Sequence, residues 1–62
     1  MTVQEAMRAK PYVTKVRVIR TGKVMVVRLM QTSRCAKTNM IKNILLKLDD
    51  GTWYTNDEVE FA

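Results

Sequence analysis

Residues 12–31 read YVTKVRVIRTGKVMVVRLMQ, and this stretch decides the fold class. Val13, Val16, Val18, Ile19, Val24, Val26 and Val27 are β-branched, and Thr21-Gly22 interrupts them midway. Branched side chains suit a pleated strand, so two such runs around a glycine-bearing pair predict a β-hairpin. With Thr21 and Gly22 as a two-residue loop, Arg20 pairs with Lys23 and Val18 with Met25. Val16 then faces Val27, and Thr14 faces Leu29. Alternate residues share a face, which groups Val16, Val18, Met25, Val27 and Leu29 on an apolar side. The other side carries Lys15, Arg17 and Arg28 beside Ile19, Val24 and Val26. A slip of one residue would exchange the two faces and bury charge.

Upstream, Thr2-Val-Gln-Glu5 fits a capping box, a threonine with its glutamate partner three residues on. Val3, Ala6 and Met7 fall on one side of the short helix that follows, and Pro11 stops it. Two helical turns are unstable alone, so the segment has to dock, on its own domain or as a partner-binding arm. Downstream, Thr32 to Asn39 lacks a period and reads as a loop.

Residues 40–55 admit two readings. As strands, Ile44, Leu46 and Leu48 share a face, Asp50-Gly51 turns the chain, and Thr52 to Thr55 return. As helix, Ala36, Met40, Ile41, Ile44, Leu45 and Leu48 form a stripe. Asp49 and Asp50 oppose the negative end of such a helix, and Asp-Gly between apolar runs is a hairpin signal. The strand reading is adopted. Thr55 to Val59 is expected to make one helical turn, and Glu60 to Ala62 a last short strand.

The expected fold is therefore mainly β, a small SH3-like barrel or curved antiparallel sheet with a short N-terminal helix. The alternative is α+β, a hairpin plus a helix over 34–48 plus a C-terminal strand. One domain is expected over 1–62, with helix and connector in 1–11 and a β-rich body in 12–62. Within residues 44–61, Leu46-Lys-Leu-Asp-Asp-Gly-Thr-Trp-Tyr-Thr55 followed by Asp57-Glu-Val-Glu-Phe61 resembles the end of SH3-like barrels of the Tudor and KOW type. The resemblance implies a strand, an Asp-Gly turn, an aromatic-bearing strand and a 3₁₀ turn leading into a closing strand.

Composition narrows the chemistry. In a chain of 62 residues, Cys35 is the only cysteine and histidine is absent. No internal disulfide can form, and a reducing cytoplasm is the expected compartment. One thiol without histidine cannot supply a tetrahedral zinc site or a Cys-His or Ser-His nucleophile pair. The two glycines, Gly22 and Gly51, build no phosphate loop. No enzymatic activity, metal or cofactor is expected. No apolar run approaches the ~20 residues of a membrane helix, and no signal peptide is read at residues 1–10.

Charge is the remaining signal. Residues 1–48 hold all eleven lysines and arginines against Glu5 alone, a net of +10, while residues 49–62 hold five acids and no base. A clustered positive surface attracts nucleic-acid phosphates with little need for sequence. The candidate contacts are Lys15, Arg17 and Arg28 on the hairpin face, Arg20 and Lys23 at its turn, and Arg34 and Lys37 on the loop. If Asp50 and Gly51 form a two-residue turn, Leu48 pairs with Trp53 and Lys47 with Tyr54. Trp53 then joins the core, and Tyr54 emerges beside Lys47 as a stacking pair for a base. A three-residue loop would exchange those roles. Tyr12 and Phe61 are assigned to core or closure.

The functional expectation is a noncatalytic nucleic-acid-binding protein, a monomer or small homo-oligomer, with DNA or RNA as partner. The alternative is a small regulatory protein, of the kind phages use against host machinery, that modulates a larger enzyme through protein contacts.

Overall fold

Thr2 caps the only α-helix through the reciprocal bonds its sequence predicts. Its Oγ1 accepts from the Glu5 amide at 3.1 Å, and its own amide donates to Glu5 Oε1 at 2.9 Å. The computed structural model describes residues 1–62, and this helix, α1, spans Val3–Met7. Five residues cannot hold a helix unaided, and α1 is anchored by Ala6, which is fully buried. Five strands follow: β1 Lys15–Val18, β2 Val24–Arg34, β3 Ile41–Leu48, β4 Trp53–Thr55 and β5 Val59–Phe61. A 3₁₀ turn, Asn56–Glu58, joins the last two.

All pairings are antiparallel and the order is β4-β3-β2-β1-β5. The mainly-β reading holds, as an open sheet with β4 and β5 at its edges. The stretch 34–48 is not a helix. Its apolar residues alternate along β3, with Ile44, Leu46 and Leu48 buried, while Ala36 and Met40 of the helical stripe are exposed. The β2 ladder satisfies the β3 backbone, and Asn39 in a left-handed conformation (φ 58°) belongs to the β2–β3 loop. No helix is long and apolar enough to cross a membrane.

The first hairpin forms in a different register from the predicted one. Arg17 pairs with Val24 and Val16 with Met25, and the Val18 amide donates to the Lys23 carbonyl at 2.9 Å. Its loop is therefore the four residues Ile19 to Gly22, of which only Gly22 is left-handed (φ 74°). A two-residue type I′ loop needs positive φ at both positions, which β-branched Thr21 resists. The slip of two residues keeps every side chain on its predicted face, so Val16, Val18 and Val27 are buried as expected.

Leu29 is the exception. Val27 pairs with Leu48, but Leu29 pairs with Lys47, so Arg28 is an extra residue that bulges β2. Beyond it the alternation reverses. Met30 joins the core side opposite Leu46 and Tyr54, and Leu29 faces outward with Lys47 and Trp53.

Ten buried apolar residues form one core: Ala6, Ala9, Val16, Val18, Val27, Ile44, Leu46, Leu48, Tyr54 and Val59. Burying a side chain such as Leu46 contributes about 1.5–3 kcal/mol. The one buried polar side chain, Asn56, closes a gap in the backbone bonding. The β3–β4 ladder ends at Thr55, where the chain enters the 3₁₀ turn. Asn56 Oδ1 accepts from the Ile44 amide at 3.1 Å, and Nδ2 donates to the Met1 carbonyl at 3.0 Å.

Asn56→Ala strands the Ile44 amide in the core. A loss of about 1–3 kcal/mol in urea unfolding is expected. Met40→Ala, on a side chain that is 69% exposed, should change stability by less than about 0.5 kcal/mol.

Candidate functional site

The cations that the sequence groups together are separated by the fold. Lys15 and Arg17 lie on the outward face of β1, and Arg17 Nη1 sits 3.4 Å from Glu60 Oε1 on β5. Lys23 directly precedes β2, and Arg34 ends it eleven residues on. At ~3.3 Å per residue, the length of the bulged strand between them is at most about 36 Å. Arg34 Nη1 donates to the Asn39 carbonyl at 3.1 Å, and Lys37 occupies the exposed β2–β3 loop. Arg20 and Lys23 lie at the opposite end, close enough to Tyr54 and Asp50 for their charges to act on those groups. Arg17 and Arg28 each face a carboxylate, Glu60 and Asp49, so part of the positive charge is locally paired.

What the fold does bring together is Arg28, Lys47 and the Tyr12 ring around one pocket, with Trp53 beside Lys47. The pocket has a volume of 280 Å³ and is lined by Tyr12, Arg28, Leu29, Lys47, Leu48 and Asp49, with Gly51 at the turn. The bulge sets Arg28 and Leu29 side by side on this wall. The Arg28 guanidinium carbon lies 5.0 Å from the Tyr12 ring centre, and Lys47 Nζ lies 6.0 Å from that of Trp53. Both separations are within reach of cation–π attraction.

Two devices hold the pocket walls. Past the end of β3, Asp49 continues the ladder with its side chain. Its Oδ2 accepts from the Val26 amide at 3.1 Å, and its Oδ1 meets Arg28 Nη1 at 3.3 Å. Tyr12 is fixed by its own amide, which donates to the Val27 carbonyl at 2.7 Å. The residue holds φ at 67° while 68% exposed. A bulky side chain in that region costs about 1–3 kcal/mol relative to an unstrained backbone.

The aromatic assignments are thereby corrected. The β3–β4 loop has three residues, since the Leu48 amide donates to the Thr52 carbonyl and Gly51 is left-handed (φ 77°). Lys47 pairs with Trp53 and Leu46 with Tyr54. Tyr54 is a core residue and not the exposed stacking partner, and Trp53 takes the place beside Lys47. Tyr12 and Phe61, assigned to core or closure, are both exposed, with Phe61 on β5 paired to Val16 of β1. The three-residue loop carried the signal for Trp53. Nothing in the sequence marked Tyr12, whose position depends on its left-handed backbone.

The Tyr54 hydroxyl donates to Asp50 Oδ2 at 2.8 Å, and the Thr52 amide to Asp50 Oδ1 at 2.9 Å. The amide of Thr52, then the Tyr54 hydroxyl, hold the Asp50 carboxyl below the usual range. The same bond to Asp50, with burial second, pushes the Tyr54 phenol up. The backbone amides of Thr38 and Lys37 lower the Cys35 thiol. Comparison with protein-family models, with curated proteins and with solved structures finds no match.

The Asp50–Tyr54 pair predicts two limbs in a stability–pH profile. Asp50 has a lowered folded-state pKa, so its contribution is complete above the unfolded carboxyl range. It is lost as pH falls below ~4. Tyr54 has a raised pKa, so its contribution is complete below ~10 and disappears as pH rises further. Thermal melts of Asp50→Asn should show both limbs shallower than wild type. Glu5, also lowered by its bonds to Thr2, acts on the acid limb in the same direction.

Proposed function

We propose that the protein binds nucleic acid in the cytoplasm and catalyses no reaction on it. The observation that carries this reading is the pair of exposed rings, Tyr12 and Trp53, each set against a cation that lines one pocket, with Tyr12 itself in the lining. A base stacked on an aromatic face contributes about 1–3 kcal/mol and needs no particular sequence. Arg28 and Lys47 stand where the phosphates attached to such bases would run. The ion pair of Arg28 with Asp49 is exposed, with half of the arginine side chain open to solvent. Exposed pairs are worth about 0–1 kcal/mol, so a phosphate can displace the carboxylate.

The net charge of +5 draws a polyanion in from solution. Lys15, Arg17, Arg20 and Lys23 then strengthen association without each needing a fixed contact. Arg34 and Lys37, at the far end of β2, contribute only to the long-range attraction. Kinship with SH3-like folds belongs to this proposal as a description of the scaffold and carries none of the function. A second reading, a regulator that docks on a larger protein, draws on Ile19 and Val24, which are exposed near the end of the first hairpin.

Affinity for mixed-sequence nucleic acid, followed by the fluorescence of Trp53, the only tryptophan, tests the proposal. Log affinity should fall linearly with log salt, by about 0.7 per phosphate contacted on a single strand. Lys47→Ala should flatten that slope by about one such unit. Absence of binding to any DNA or RNA at low salt would sink the proposal and leave the protein-docking reading.

A further inference from the structure

We propose that the pocket accepts one unstacked base of a single strand, with Tyr12 as its stacking face. The inference rests on the nucleic-acid reading and adds the state of the strand.

Size and lining argue for a single base. At 280 Å³ the pocket falls just below the range of drug-sized ligand sites, about 300 to 1,000 Å³. It therefore suits a planar ring with its sugar and excludes a helix. Leu29 supplies an exposed apolar wall, the Tyr12 ring an aromatic face, and Arg28 and Lys47 positive charge. A duplex keeps its bases stacked inside and offers phosphates to the surface, so it cannot fill a pocket of this kind without extruding a base. A single strand presents base and phosphate together. Asp49, the one acid of the pocket, is engaged by the Val26 amide and by Arg28. Beyond Lys47, Trp53 provides a second ring for a neighbouring base.

The backbone of Tyr12 supplies the independent argument. Its left-handed conformation suits glycine or asparagine, and the ring gains little burial in exchange. Strained backbone concentrates at functional sites because the strain is tolerated for what the residue does. Selection for stability alone would not place an exposed tyrosine there.

The test is Tyr12→Asn, which retains the backbone shape and removes the ring. Binding of a mixed-sequence strand of ~12 nucleotides, as DNA and as RNA, is compared with the duplex of the same sequence. Wild type should prefer the single strand, and Tyr12→Asn should reduce that preference about tenfold. The variant should melt at or above the wild-type temperature, which separates loss of a binding face from loss of folding. Tyr12→Phe, which keeps the ring, should lose far less. Equal affinity of wild type for strand and duplex, or an unchanged preference in Tyr12→Asn, would overturn the inference while leaving nucleic-acid binding in place. Binding to neither form would remove both. A difference between the DNA and RNA arms identifies which single strand the site takes.

Discussion

β2 must serve two ladders at once, and the bulge at Arg28 lets it do so. Before the bulge β2 pairs with β1, and its inward residues are Met25 and Val27. After it, β2 pairs with β3 and its inward residue is Met30. Without the extra residue, strict alternation would turn Leu29 into the core and the longer, more flexible Met30 out. Bulges also increase local twist, which lets two halves of one sheet approach each other across a shared core. The outward wall of the same irregularity is where Arg28 and Leu29 stand together, so one feature shapes both core and pocket.

Much of the fold was legible because strand alternation is robust to certain errors. The first hairpin was read two residues out of register, yet a shift of two leaves each side chain on its own face. Val16, Val18 and Val27 were identified as core on the strength of parity alone. The second hairpin was one residue out, and there parity exchanged the roles of Trp53 and Tyr54. Both errors came from loop length. Thr21 cannot accept the positive φ of a two-residue loop, and Asp49 is drawn into the turn because its carboxylate has a ladder amide to satisfy. Composition names the turn residues but does not count them.

The charge asymmetry along the chain was equally plain to read and did not become an asymmetry in space. Antiparallel pairing lays the acidic end of the chain against the basic part. Glu60 on β5 faces Arg17 on β1, and Asp49 at the end of β3 meets Arg28 on β2. Opposite charges across a ladder favour the register that pairs them, each by about 0.2–1 kcal/mol. The acidic residues act as local partners that help to select the pairing. Their weak, exposed pairs remain open to competition from a stronger anion.

Site and scaffold make different demands at Tyr12, and this is why the site was hard to foresee. Core positions obey periodicity, because burial rewards the same face at every second residue. A surface ring obeys no such rule. Tyr12 is placed by one amide bonded to Val27 and by a backbone conformation that its own side chain disfavours. The carbonyl of Val27 lies next to the bulge, so the strand irregularity that positions Arg28 also fixes the ring stacked on it. The two halves of the Tyr12–Arg28 pair are thus held by adjacent peptide units of β2. That adjacency preorganises the stack at a point where periodicity alone turns Arg28 outward and is silent on Tyr12.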